Sequence, residues 1–393
     1  MDPAPGPQEE FFTLDELRAE MRKLAWTKGD FTITPYGILW ANMAWETSRS
    51  LTGDYVLYVL RPRDGSNESF NADAKSTRLG IDVLGPRIER WGDAQTGGKV
   101  EIDFQRNFDT ENRAGLLLRH AYLEVKNEDY RLLGGQTWDV ISPLLPGVLM
   151  YTVGWDGGNI GYRRTQARGE RYFSLSDEFT VIAQGSLNVD ILSDTVATHT
   201  GDHSGWPVLE GRLAVALGPR GPGCNPIEMG LSSHIGEVEL LPAAPAAGLP
   251  RRTWSLNADV KVPITSRFGV QGELWMGENL GTFFGGIGQG INVTSPDLNT
   301  IYSRGGWFDV WYDWTSRWHS HVGYSIDDPL DSDISVGRVY NAFMFANLSY
   351  DVTSKFLVGF EFTSWRTIWK DPALGPDVNA PDQNFNFVAK YGF

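Results

Sequence analysis

The chain closes on Asn384-Phe385-Asn386-Phe387-Val388-Ala389-Lys390-Tyr391-Gly392-Phe393, and these ten residues decide the fold. Phe385, Phe387, Ala389, Tyr391 and Phe393 fall on one side of a period-two repeat, and Asn384, Asn386, Val388 and Lys390 on the other. Side chains alternate across a strand, so the segment reads as a β-strand with one apolar, aromatic face and one mostly polar face. The same alternation recurs upstream. Trp254, Leu256, Ala258, Val260 and Val262 oppose Thr253, Ser255, Asn257, Asp259 and Lys261. Phe356, Val358, Phe360 and Phe362 oppose Leu357, Gly359, Glu361 and Thr363. Val100, Ile102 and Phe104 oppose Lys99, Glu101, Asp103 and Gln105.

Strand length separates two architectures. Strands of soluble sandwiches run about 5–6 residues. A strand that crosses lipid at a tilt needs about 9–11, and several segments here are at least that long. No apolar run is long enough for a transmembrane helix, so a membrane crossing would use strands closed into a barrel. Strands are expected at about 31–47, 76–85, 98–106, 114–126, 129–138, 158–165, 177–190, 206–217, 226–239, 252–262, 267–278, 302–314, 318–327, 338–351, 355–367 and 383–393. Sixteen is an even number, as antiparallel closure without an edge requires. Tight turns at 127–128, 263–265, 315–317 and 352–354 alternate with long connections at 48–75, 139–157, 279–301 and 368–382, the pattern of outer-membrane barrels. Two places fit less well, a turn at 86–97 that is too long and the register near 165–177. The expected fold is an all-β, 16-stranded antiparallel transmembrane barrel spanning residues 28–393.

Before the barrel, residues 1–12 are rich in Pro, Gly and acids and read as disordered. A helix is expected over 13–27, capped by Thr13 with Glu16 three residues on. Its Leu14, Leu17, Met21 and Leu24 repeat at the a and d spacing of a coiled coil. The seam serves either packing on the chain's own domain or oligomerisation. Met1 to Pro7 lacks a basic segment followed by an apolar core, so an exported form is expected to have lost its signal.

The net charge of −15 argues against nucleic acid as a partner. The single cysteine, Cys224, sits in a Gly- and Pro-rich turn and rules out an internal disulfide. No nucleophile elbow, phosphate-binding loop or zincin pattern is present, so no enzymatic activity and no cofactor are expected. Asp327, Asp328, Asp331 and Asp333 cluster, but without the glycine-centred spacing of a calcium loop. His319 and His321 share a strand face with no third ligand in view. No metal is expected.

Leu118-Arg119-His120-Ala121-Tyr122-Leu123-Glu124 and Leu133-Gly134-Gly135-Gln136-Thr137-Trp138-Asp139 resemble the strand pair before the third loop of DcaP-like outer-membrane porins. Gly158-Asn159-Ile160-Gly161-Tyr162-Arg163-Arg164, Ser76-Thr77-Arg78-Leu79-Gly80 and the terminal Phe393 fit the same family. The resemblance covers roughly residues 28–393. It implies a trimeric diffusion channel in the outer membrane, a short periplasmic coiled coil, a third loop (139–157) folded into the pore, and a preference for small organic anions.

A pore acts through its bore and the charges that line it. The candidates for the constriction are Arg78, Asp82, Glu101, Asp103, Arg119, Asp139, Arg163 and Arg164, with the arginines forming a cationic wall opposite loop acids such as Asp139. Regular alternation would turn His120, Tyr122 and Glu124 inward rather than Arg119, and would admit only one of Arg163 and Arg164. The leading expectation is a porin for small hydrophilic solutes, embedded in outer-membrane lipid as a homotrimer. An anchoring barrel with a plugged lumen, a barrel lipase and a soluble carbohydrate-binding protein are the competing readings.

Overall fold

The computed structural model describes residues 25–63, 65–106, 115–191, 204–221, 224–240, 249–295, 297–373 and 375–393. Among them, sixteen antiparallel wall strands close a barrel, numbered here β1–β16. β1 is Phe31–Glu46. β2 comes in two pieces, Ser69–Asp73 and Arg78–Ile88, both paired with β1. β3 is Ala94–Asp103, β4 Leu117–Lys126, β5 Tyr130–Trp138 and β6 Arg163–Ser176. β7 is Phe179–Asn188, β8 Val208–Leu217, β9 Ile227–Leu240 and β10 Leu249–Pro263. β11 is Phe268–Glu278, β12 Tyr302–Asp313, β13 Trp318–Pro329, β14 Gly337–Thr353, β15 Phe356–Lys370 and β16 Val378–Gly392. β16 pairs with β1, Asn42 lying opposite Val388, so no edge is left unpaired.

The faces follow the alternation. In β16, Phe387 and Tyr391 are 50 % and 48 % exposed on the outer surface, while Asn384 and Asn386 are 6 % and 4 % exposed on the inner one. Among the described residues, short turns such as 89–93, 127–129 and 264–267 close one end. At the other end lie the long loops, of which 47–68 (L1), 139–162 (L3) and 279–301 (L6) bear on the interior. Here the hydrophobic cores are inside the barrel. Val56 and Val59 of L1 and Met150 of L3 pack on Phe343 and Phe345 of β14 and Trp365 of β15. Ile141 and Ile160 of L3 pack with Leu280 and Phe283 of L6. Three loops thus bury apolar surface against inward-facing residues of the wall.

Several boundaries differ from the sequence reading. β6 begins at Arg163, so most of the strand expected at 158–165 belongs to L3, where Gly158 and Gly161 hold left-handed backbone (φ +130° and +95°) that a strand residue would not adopt. The expected long turn at 86–97 contracts to residues 89–93, a single 3-10 turn over Glu89–Trp91 closed by left-handed Gly92. The connection expected at 48–75 gives way to wall strand from Ser69. Trp26–Lys28 is a short strand paired with Phe31–Ile33, which ends any helix earlier than 27. The rest of that helix, with Leu14, Leu17, Met21 and Leu24, lies outside the described residues.

Candidate permeation site

L3 is held inside the barrel by carboxylates of the wall. Glu210 of β8 accepts the backbone N–H of Val140 at 2.6 Å. Glu273 of β11 accepts Leu144 N at 2.9 Å and the Ser142 hydroxyl at 2.5 Å. Asp309 of β12 accepts Gly147 N at 2.9 Å, and Glu361 of β15 accepts Leu149 N at 2.6 Å and Met150 N at 3.1 Å. The loop therefore runs from its root at β5 along the far wall, handing one N–H after another to a wall acid. L6 is tied the same way, Asp327 of β13 accepting Gly286 N and Ile287 N. So is L1, through Asp382 of β16 and Ser48 N. A loop has no ladder partner, and a buried backbone N–H left unpaired costs about 1–3 kcal/mol. A carboxylate is a strong acceptor with two oxygens to offer. These acids are thereby engaged by the loop's backbone dipoles.

The cations lie on the opposite side, on β2, β4, β6 and β16. Arg119 donates to Glu101 at 2.6 Å and to Asp103 at 2.7 Å. The chain of contacts extends from Asp103 to the Tyr151 hydroxyl of L3 (2.8 Å), and from Glu101 to the Tyr36 hydroxyl (2.8 Å), then Lys99 (2.9 Å) and Asp82 (3.1 Å). Arg78 and Lys390 sit over the Trp40 ring at 5.3 and 3.7 Å. Arg163 is enclosed by Trp138, Trp155 and Tyr162, its guanidinium carbon 4.7–5.6 Å from each ring centre. Among the described residues, Arg78, Arg163 and Lys390 have no ion-pair partner. Tyr151 is pushed up to about 12 by burial, so it stays a neutral donor between the two groups.

The structure thus brings Arg78, Asp82, Glu101, Asp103, Arg119 and Arg163 into one region. It does not bring Asp139 and Arg164 there. Asp139 bonds Arg164 and the backbone N–H of Tyr162, and Arg164 donates to the Thr282 carbonyl at 2.6 Å and stacks on Phe283 at 3.6 Å. The pair pins the root of L3 under L6 instead of facing the cations, because two adjacent arginines at a strand start need not alternate. Burial pushes the Asp139 carboxyl upward and Arg164 opposes it. Arg119 is turned inward by an irregularity in the β3–β4 register between Glu101 and Ile102, which also leaves His120 inside, bonded to Thr137. Alternation alone cannot foresee a bulge.

Lys390 and the wall acids Glu210, Glu273, Asp309 and Glu361 were missed by the sequence reading. Lys390 stood on the wet face of the closing strand and was legible there. The four acids, also on wet faces, had no signal separating them from other lumen acids. The remaining clusters separate in space. Asp327 faces inward onto L6, Asp328 pairs with Arg304, and Asp333 accepts Tyr302 N, so the four aspartates share no centre. His319 lies between Asp313 and Asp351, and His321 bonds Asp309.

Solved outer-membrane channels share this architecture. The outer-membrane channel DcaP of Acinetobacter baumannii superposes with a TM-score of 0.70 at 17 % identity, covering 93 % of this chain and 99 % of that one. OmpF of Salmonella typhi in complex with daunomycin matches at 0.58 and 11 % identity, over 94 % and 100 %. The anion-selective porin of Comamonas acidovorans matches at 0.56 and 11 % identity, over 92 % and 100 %. No protein-family model matches the chain, and a search among curated proteins finds no match. At these identities the likeness establishes the porin fold.

Proposed function

We propose that this barrel is an outer-membrane porin, a passive diffusion channel for small hydrophilic solutes with a preference for small organic anions, working as a homotrimer and without enzymatic activity. One observation carries the reading. L3 is folded inside and its backbone N–H groups occupy the far-wall acids, while Arg78, Arg163 and Lys390 remain without counter-ions beside it. A solute passing between loop and cationic wall meets net positive charge even though the chain carries −15 overall. The anion preference of the Comamonas porin points the same way.

A second reading, an anchoring barrel with a plugged lumen, draws support from the dry clusters that L1, L3 and L6 build inside the mouth. Single-channel recording separates the two. Purified protein in a planar bilayer under a salt gradient should give stepwise conductance with a reversal potential of the anion-preferring sign, moved toward cations in Arg78→Glu. Stable insertion without conductance would leave the plugged barrel.

A further inference from the structure

The outer surface of the barrel is not uniform. Aromatic side chains seek the membrane–water interface and ring a lipid-facing barrel at both ends. At the loop end, Trp45–Phe385, Trp254–Tyr302 and Tyr324–Tyr340 form such contacts on β1, β10, β12, β13, β14 and β16. The loop-end halves of β3–β9 carry none on their outward faces. There the residues are Ile102, Leu118, Gln136, Thr165, Leu187 and Leu209. The exposed Trp206 belongs to the loop before β8 and not to the wall. Gln136 and Thr165 pair as polar neighbours on a surface that lipid would leave unsolvated.

Below them the wall sinks. Gly169 of β6, Gly185 of β7 and Gly211 of β8 lie side by side, with Gly134 on β5. Gly134, Gly169 and Gly185 floor a shallow depression of about 810 Å³, rimmed by Leu123, Leu132, Leu187 and Leu209. The barrel itself does not require glycine at these positions. A Cβ at Gly134 would meet nothing within 4 Å, and at Gly169, Gly185 and Gly211 only ordinary contacts of 3.7–3.8 Å. By contrast, a Cβ at Gly272, Gly277, Gly305 or Gly306 would strike backbone oxygens at 2.1–2.5 Å. The first set leaves its space free for something outside the chain. Small residues that let backbones approach, with polar groups among them, are how membrane-embedded surfaces associate without a hydrophobic driving force.

We infer that β3–β9 is the face by which copies of this chain pack together, the glycine-floored depression receiving leucines of a neighbouring copy. This rests on the homotrimer proposed above and names its contact wall. Seven strands about 4.8 Å apart, under an apolar band about 25 Å tall, project roughly 700 Å². That is the order of the roughly 800 Å² per partner that a stable pair buries. In a closed ring the β4 side of one copy meets the β8 side of the next.

The test uses the full chain in detergent, with Cys224→Ser as background. Leu123→Cys combined with Leu213→Cys should cross-link into covalent oligomers on oxidation. Leu274→Cys with Phe360→Cys, on β11 and β15 of the opposite wall, should not. The double substitution Gly169→Leu, Gly185→Leu should give a folded, heat-modifiable barrel that migrates as a monomer, since the lone barrel has room for both side chains. Cross-linking only through the opposite wall, or an oligomer indifferent to the glycine substitutions, would overturn the assignment. A parent protein that is monomeric throughout would overturn it together with the trimer, and the wall would be covered by lipid. Conductance is read separately: a conducting monomer keeps the channel reading, and a silent oligomer keeps the interface.

Discussion

Replacing Glu361 by glutamine should unfasten the middle of L3 while leaving the barrel closed. The Glu361 side chain is fully buried and accepts three hydrogen bonds, from Leu149 N, Met150 N and Asn347 Nδ2 at 2.6, 3.1 and 3.0 Å. All three partners are donors, an arrangement that favours the carboxylate, whose two oxygens both accept without a proton of their own. Glutamine keeps one acceptor oxygen and turns an NH₂ toward a donor. The loss is at least one charge-assisted bond, about 1.5–3 kcal/mol, plus a buried N–H left facing another donor, about 1–3 kcal/mol. Taking about 3 kcal/mol in all, the population of the loop segment detached from the wall rises by roughly two orders of magnitude. The β15 ladder is untouched, since only a side chain changes. Glu361→Gln should therefore keep its heat-modifiable band and show noisier, shifted single-channel conductance. Asn347→Ala should show a weaker effect. Conductance and noise identical to the parent would refute the view that wall carboxylates hold L3.

Other substitutions probe the same architecture. Arg119→Ala strands Glu101 and Asp103 as buried unpaired charges, so the barrel should lose about 3–5 kcal/mol, read as a lower thermal midpoint of the folded band. Gly158→Ala should dislodge the end of L3, because its backbone is left-handed and a Cβ would meet Ser325 Oγ and Gly306 O at 2.4–2.5 Å; the readout is proteolysis within L3 of the folded barrel. Asp156 of L3 is pushed up to about 7 by burial. Its folded form holds a proton that the unfolded form releases near the ordinary aspartate value of about 4, so this stabilisation is full below about pH 4 and is lost as pH rises through about 7. Loop-related channel noise should accordingly grow between about pH 4 and pH 7, and Asp156→Asn should flatten that dependence.

The strands most legible in the sequence were those whose outer faces are aromatic or large, such as 383–393, 355–367 and 252–262. β6 was misplaced because its outward residues Thr165, Ala167, Gly169 and Arg171 are small or polar and give no apolar beat. That same composition marks the wall assigned to contact between copies. Arg119, named among the candidates, lies inside the barrel only because of a register irregularity.

The barrel and its strand count were legible in the sequence alone, because a period-two pattern repeated over long strands, even in number, closes on itself without an edge. The division of labour among the charges was decided by tertiary structure. An acid on the wet face of a strand reads the same whether it lines a channel or accepts a loop's backbone N–H, since the donor carries no side-chain signature. Only the fold, by carrying L3 past Glu210, Glu273, Asp309 and Glu361, occupies those acids and leaves Arg78, Arg163 and Lys390 without counter-ions in a chain of net negative charge.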